Sequence, residues 1–209
     1  MILQMGKQWF NFAVDPLVDQ DRRIIGAVHI MSDITERKWM EEELRALSFI
    51  DDLTGLYNRR GFLTLAEQQV KITNRKKETM LLLFIDLDDM KWINDTFGHQ
   101  VGDQALREIA TILKDTFRES DIIARIGGDE FVVLTIETNG ESEDLLSSRL
   151  QENIACHNNG KENQNLKLSI SMGKASYDPK SPCLIDELIG RADQSMYGQK
   201  RMKQKNSSQ

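Results

Sequence analysis

Arg125-Ile126-Gly127-Gly128-Asp129-Glu130-Phe131 lies between two apolar, β-branched runs, Asp121-Ile122-Ile123-Ala124 before it and Val132-Val133-Leu134 after it. Apolar runs on either side of a Gly-Gly pair predict a β-hairpin with the glycines at the bend. Glycine suits that place if the turn needs φ > 0, or if something must approach the backbone closely. Asp129 and Glu130 are adjacent carboxylates at the tip. They are costly together unless water solvates them or a cation sits between them. The bland alternative is a solvated turn, since Gly and Asp are ordinary turn residues.

The chain has 209 residues, enough for one full domain and a remnant of another. A hydrophobic content of 40% with 29% charged residues fits a soluble globular protein. The net charge of −6 argues against bulk nucleic-acid binding, which needs a basic face. An anionic substrate must then be held by a few local cations or by metal. Cys156 and Cys183 have no metal or disulfide spacing, which fits a reducing, cytoplasmic compartment. Met1-Ile2-Leu3-Gln4 is not a signal peptide, and the longest apolar run, Met80 to Ile85, is too short for a bilayer. No membrane contact is expected within this chain, although a longer parent protein could carry an anchor upstream.

Upstream of the hairpin, Met80-Leu81-Leu82-Leu83-Phe84-Ile85-Asp86-Leu87-Asp88-Asp89 reads as a strand buried on both faces and ending in acids. With a period of two, Phe84, Asp86 and Asp88 face one way, and Ile85 and Leu87 the other. An aspartate at the end of a central strand needs a partner, and a hard divalent cation is a good one. Capping of a short helix over Met90–Asp95 accounts for Asp88 or Asp89 but poorly for Asp86. Leu106, Ile109, Ala110, Leu113 and Phe117 predict a helix beginning near Asp103. Asp103 is either its N-cap or a reader of a ligand. Asn94 offers a donor and an acceptor and Asp103 an acceptor, a set that matches the edge of guanine. His99 by itself reads as a plain surface or turn histidine.

Asp51-x-Leu-Thr-Gly-Leu-x-Asn-Arg-Arg, Asp86-Leu-Asp-x-x-Lys91-x-x-Asn94-Asp-x-x-Gly98-His99-x-x-Gly102-Asp103 and Gly127-Gly128-Asp129-Glu130-Phe131 occur in this order. Together they resemble the GGDEF family, the diguanylate cyclases, over residues 48–206, about three quarters of the chain. The resemblance implies an α+β, ferredoxin-like palm of the nucleotidyl cyclase type: an antiparallel sheet with flanking helices, placed on one face. It also implies a reaction, the condensation of two GTP into cyclic di-GMP with release of two pyrophosphates. Asp86, the carbonyl of Leu87, Asp129 and Glu130 would hold Mg²⁺, with Mn²⁺ as a substitute. Asp129 would be the general base on the 3′-hydroxyl, and Lys91 would stabilise phosphate charge. Asn94 and Asp103 would read guanine, and His99 would line the site. Gly127 and Gly128 would pass beneath the phosphates, and Lys200 would contact them. Phosphoryl-type transfer needs positioning and charge neutralisation more than covalent help. Carboxylates from two strands serve that chemistry if the buried strand and the hairpin are neighbours.

One domain offers one GTP site, whereas cyclic di-GMP is two-fold symmetric. Two chains must therefore face each other, at least transiently, as a homodimer. Arg118-Glu119-Ser120-Asp121 resembles the family's Arg-x-x-Asp inhibitory site for the product, with Arg149 as a further guanidinium. The alternative is that these are helix-end charges. The family usually carries Gly-Arg-Asn after its last helix, where this chain has Lys203-Gln204-Lys205. Gln204 at the expected arginine leaves a second reading open, a GTP or cyclic-di-GMP receptor without strong turnover. A third is a cyclase of different base preference.

Flanking segments complete the reading. Residues 7–14 and 24–31 read as strands with a polar connection over 16–23. Residues 26–38 resemble the last strand and exit of a PAS sensor. Thr35 is the expected N-cap of a linker helix in which Met40, Leu44 and Leu47 form a coiled-coil-like stripe. That helix either joins two chains or lies on the next domain. Further elements are a helix from about Arg60 to Lys76, a helix over 142–158 with Leu145, Leu146 and Leu150 on one side, a strand over 166–173, and a last helix through Ile185, Leu188, Ile189, Ala192 and Met196. The expected domains are a PAS-like remnant over 1–35, a helical linker over 36–48, the cyclase domain over 49–206 and a disordered tail over 207–209.

Overall fold

The computed structural model describes residues 1–40, 48–136, 143–160 and 166–206. The chain forms two units, Met1–Ser48 and Phe49–Gln209.

In the first unit, β1 (Ile2–Met5), β2 (Gln8–Val18) and β3 (Ile24–Asp33) form an antiparallel sheet in that order. The first strand was not expected, because a run of four residues carries too little pattern. β2 also runs on through Pro16, which sequence reading assigned to the connection. Proline is tolerated there because β1 pairs only with Gln8 to Asn11, so one side of β2 is open at Pro16. The turn is closed by Asp19, whose carboxylate accepts from the backbone N–H of Asp21 and of Arg23, both at 2.9 Å. Residues 35–40 are helical. Asp33, rather than Thr35, supplies the side-chain cap, accepting from the Thr35 N–H at 2.9 Å. The Thr35 hydroxyl is occupied elsewhere, accepting from the Trp9 N–H at 2.9 Å. Leu44 and Leu47 of the expected stripe lie outside the described residues.

The second unit follows the order α1 (Arg59–Lys76), β4 (Met80–Leu87), α2 (Met90–Phe97), α3 (His99–Thr116), β5 (Ile122–Arg125), β6 (Glu130–Ile136), α4 (Glu143–Asn159), β7 (Ile170–Tyr177) and α5 (Ile185–Asn206). The sheet order is β5-β6-β4-β7, and every pairing is antiparallel. β4 is buried from Met80 to Leu87, as its continuous apolar run requires. Alternation splits its side chains between two cores. Met80, Leu82 and Phe84 join Phe62, Leu188, Ala192 and Met196 on one face. Leu81, Leu83, Ile85 and Leu87 join Leu106, Ile109, Leu113, Leu146 and Leu150 on the other. Helices therefore cover both faces of the sheet, not one. The α+β antiparallel class is as expected.

Two boundaries moved for local reasons. Gly98, at φ 85°, ends α2 and begins α3, so α3 starts at His99 and Asp103 is one turn inside rather than its N-cap. β7 starts at Ile170, opposite Leu87 where β4 ends. Leu168 before it is held instead by the Asn158 amide, which donates to its carbonyl at 2.8 Å and accepts from its N–H at 2.9 Å. On α4 only Leu146 and Leu150 of the expected side are buried, and Leu145 is 53% exposed. The expected tail lies outside the described residues.

Packing of α5 onto β7 depends on Gly173. A Cβ there would sit 2.0 Å from the Ala192 carbonyl oxygen and 2.2 Å from the Met196 nitrogen. Both are backbone atoms, so the helix as a whole would have to retreat. Gly173→Ala should destabilise the unit by about 1–3 kcal/mol in urea denaturation. Gly190→Ala, on the same helix with nothing within 4 Å of its Cβ, should be neutral or mildly stabilising. Equal midpoints for the two variants would refute this account.

Candidate active site

The hairpin and the acid-terminated strand are adjacent. β4 pairs with β6 so that Asp86 stands opposite Glu130. The Leu87 N–H donates to the Asp129 carbonyl at 3.0 Å, which extends the ladder into the hairpin tip. Asp86 faces the α5 side of the sheet with Phe84, as alternation predicts. There Lys200 of α5 donates to Asp86 Oδ1 at 2.6 Å. Asp88 is anchored on the β7 side, accepting from the hydroxyls of Ser169 and Ser171, each at 2.7 Å. Asp89 takes the N-cap position of α2 in the left-handed region, φ 60°, with no capping bond from its side chain.

Burial raises the Asp86 carboxyl above the usual range, and the charges of Asp129 and Asp88 add to this against the opposing Lys200. Burial, followed by Asp129 and Asp86, likewise raises Glu130. Burial alone would lower Lys200, but its bond to Asp86 and the surrounding carboxylates raise it. These directions describe an acidic centre in which one ammonium does not neutralise the carboxylates around it.

Beside this centre opens a cleft of about 460 Å³ lined by Lys91, Asn94, His99, Asp103, Gly128 and Asp129, among others. α2 supplies Lys91 and Asn94, and α3 supplies His99 and Asp103, one turn apart on one face. His99 is thus a helical residue of the cleft, not a turn residue. Gly102 makes room for Asn94: a Cβ there would lie 2.0 Å from Asn94 Oδ1.

Backbone conformation does not demand glycine at the hairpin, and of the two only Gly127 leaves room for a neighbour. Neither has a positive φ, unlike Gly55 and Gly98. A Cβ on Gly127 would lie 2.1 Å from Glu130 Oε2, whereas one on Gly128 would meet nothing within 4 Å. Among the described residues, no three carboxylate, histidine or cysteine side chains are gathered closely enough to hold a metal as they stand. The chemistry of the donors does fit one. Asp86, Asp129 and Glu130 are hard oxygen donors whose mutual repulsion a divalent cation would relieve.

The profile of the family described as "Diguanylate cyclase, GGDEF domain" matches residues 48–206. The chain belongs to the GGDEF family. Its GGDEF unit is 37% identical over 160 residues to diguanylate cyclase DgcP of Pseudomonas aeruginosa, covering 77% of this chain and 24% of that protein. It is 35% identical over 170 residues to diguanylate cyclase DosC of Escherichia coli, covering 79% and 36%. Among solved structures, the coiled coil and GGDEF domain of DgcB from Caulobacter crescentus in complex with c-di-GMP superposes with a TM-score of 0.65 at 25% identity. That match covers 80% of this chain and 88% of the other. The chain spans between 13% and 43% of the length of the curated relatives it matches. Among the described residues, no helix is long and apolar enough to cross a membrane.

A second cavity of the GGDEF unit, about 390 Å³, is lined by Tyr57, Lys114, Phe117, Arg118 and Asp121 with neighbouring residues. Arg118 and Asp121 are thus brought together, and Asp121 Oδ2 also accepts from the Arg118 N–H at 2.9 Å. Arg149, on α4, is not part of this lining.

Arg125 and Asp51 were visible in the motifs, but reading the sequence assigned them no role. Arg125 donates from Nη2 and Nε to the Gly128 carbonyl, at 2.7 and 3.2 Å, and from Nη1 to both oxygens of Asp51 at 3.2 Å. Asp51 also accepts from the hydroxyl and N–H of Thr54, at 2.6 and 2.9 Å. One guanidinium thereby ties the hairpin tip to the turn over 51–54. The available signal was a lone arginine just before the glycines, and its partner is 74 residues away. Burial pushes the Asp51 carboxyl up, but the Thr54 hydroxyl and N–H and the Arg125 guanidinium outweigh this and hold it low. A carboxyl held low in the folded state contributes stability that is present above its unfolded value of about 3.9. That stability is lost as the pH falls through the folded value. Asp51→Asn should cost about 1.5–3 kcal/mol at neutral pH and flatten the acid limb of the stability curve. Wild-type stability at pH 7 in this variant would show that the hairpin tip does not depend on the tie.

Proposed function

We propose that the protein is a diguanylate cyclase, condensing two GTP into cyclic di-GMP and two pyrophosphates, with one GTP bound per subunit of a homodimer. The observation that carries this reading is the placement of Asp86 opposite Glu130, with Asp129 between them and the Asn94–Asp103 cleft. The similarity to proteins named diguanylate cyclases supports the same reaction.

In this reading Asn94 and Asp103 pair with the edge of guanine, and His99 closes the wall of the cleft. Lys91, exposed at the cleft mouth, reaches the phosphates. Gly127 and Gly128 let the hairpin backbone pass beneath them. Asp129 takes the proton of the 3′-hydroxyl, whose oxygen then attacks the α-phosphate of the GTP held by the facing subunit. Pyrophosphate leaves, and the same step in the opposite sense closes the ring. Asp86, the Leu87 carbonyl, Asp129 and Glu130 would hold Mg²⁺, or Mn²⁺ in its place. When bound, the cation neutralises phosphate charge and polarises the reacting oxygens. Glu130 turns from Gly127 to do so, and Lys200 turns from Asp86 toward phosphate.

Arg118 and Asp121 form a product-binding inhibitory site in the second cavity, supported by their shared lining with Lys114. Arg149 joins it only by a rearrangement of α4, or from a facing subunit. The first unit is the end of a PAS-like sensor, residues 1–35, followed by a linker over 36–48, of which 41–47 lie outside the described residues, that brings two chains together. The antiparallel β2–β3 pair followed by a helix supports this division. Cytoplasmic location follows from the substrate.

The test is turnover of GTP with Mg²⁺, products separated by chromatography, over a dilution series. Wild-type protein should form cyclic di-GMP with specific activity that falls on dilution, and Asp129→Ala should form none. GTP binding without turnover at any concentration would favour the receptor reading instead. Separately, Arg118→Ala should keep its initial rate but lose the slowing of progress curves by added cyclic di-GMP. Unchanged inhibition in that variant would remove the assignment of the second cavity.

A further inference from the structure

The expected mechanism sends Lys200 to phosphate, whereas the structure places it on a carboxylate. Its ammonium lies 2.6 Å from Asp86 Oδ1, a short, charge-assisted contact. The Asp86 side chain is 10% exposed and that of Lys200 is 31% exposed. A largely buried carboxylate is costly without a cation. The lysine, in contrast, has a path to solvent. The helix that carries it cannot follow it outward. Ala192 and Met196 are buried against Gly173, and Lys200 lies one turn beyond Met196 on the same face. Any change of partner must therefore be made by the four-carbon stem alone, which is flexible enough to do so. Asp88 is close enough to act on Lys200 electrostatically, but it is already held by the hydroxyls of Ser169 and Ser171.

We propose that Lys200 is a placeholder cation that occupies Asp86 when no metal is bound and couples metal binding to nucleotide binding. The proposal rests on the reading of Asp86 as a metal ligand. A divalent cation and an ammonium cannot both approach the same carboxylate oxygen without strong repulsion. Metal entry thus expels the ammonium, and a triphosphate beside the centre gives it a new anion. Each ligand lowers the cost of binding the other, and the coupling is reciprocal. Without nucleotide, the lysine protects the acidic centre from casual occupation by cations.

The experiment is titration of the nucleotide-free full chain with Mn²⁺, free Mn²⁺ being counted by electron paramagnetic resonance. Lys200→Met should bind Mn²⁺ about tenfold more tightly than wild type. Lys200→Arg, which keeps a cation on a long stem, should stay near the wild-type affinity. Adding Asp86→Asn to Lys200→Met should abolish the gain. With a non-hydrolysable GTP analogue present, Mn²⁺ affinity should rise more in wild type than in Lys200→Met. Equal, weaker or undetectable Mn²⁺ binding by Lys200→Met would overturn the placeholder role. If Asp86→Asn alone still weakened Mn²⁺ binding, the metal reading would stand and only the placeholder would fall. A gain that survived Asp86→Asn would place the metal elsewhere and remove both.

Discussion

A strand buried along its whole length that ends in an aspartate is the constraint around which this protein is arranged. Met80 to Leu87 give both faces of β4 to core packing, so neighbours must cover it on every side. β6 and β7 flank it in the sheet, and helices close it above and below. Asp86 then has no route to bulk water except at the end of the sheet. The hairpin tip, the β7 serines, Lys200 of α5 and the cleft between α2 and α3 meet at that end.

The charge balance follows from that placement. The chain is acidic overall, with a net charge of −6, and its acidic centre is raised in pKa by burial and by its own neighbours. Cations are therefore supplied one at a time, each from a different element. Lys200 comes from α5 to Asp86, Arg125 from β5 to the Gly128 carbonyl and Asp51, and Lys91 from α2 to the cleft. Only Arg125 is fully committed to the fold, because its guanidinium spends its donors on two protein partners in a fixed fork. Lysines have looser geometry and can exchange partners.

Much of this was legible because local chemistry and tertiary placement agree. An unbroken apolar run can only be a buried strand or helix, and its acidic end and short length select the strand. Asn94 and Asp103 were readable as a pair from their residue types, and they do share one cleft. The errors fell where a neighbour overrode the local pattern. Gly98 starts α3 a turn early, Asp33 replaces Thr35 as cap, and Leu168 is taken by the Asn158 amide instead of pairing with β4. Of the two reasons for glycine at the hairpin, positive φ does not apply, whereas close approach does at Gly127, beside the Glu130 side chain.

Periodicity and turn chemistry are local properties, so the hairpin, the central strand and the residue types that could meet at its end are legible in the chain alone, whereas the α+β class came with the family resemblance. Which of those residues touch was decided only by the tertiary structure. Asp51 reaches Arg125 across 74 positions, Lys200 reaches Asp86 across 114, and Ser169 reaches Asp88 across 81. No local pattern encodes such pairs. They follow from strand order and helix packing, which bring distant side chains within hydrogen-bond distance only after both cores have formed.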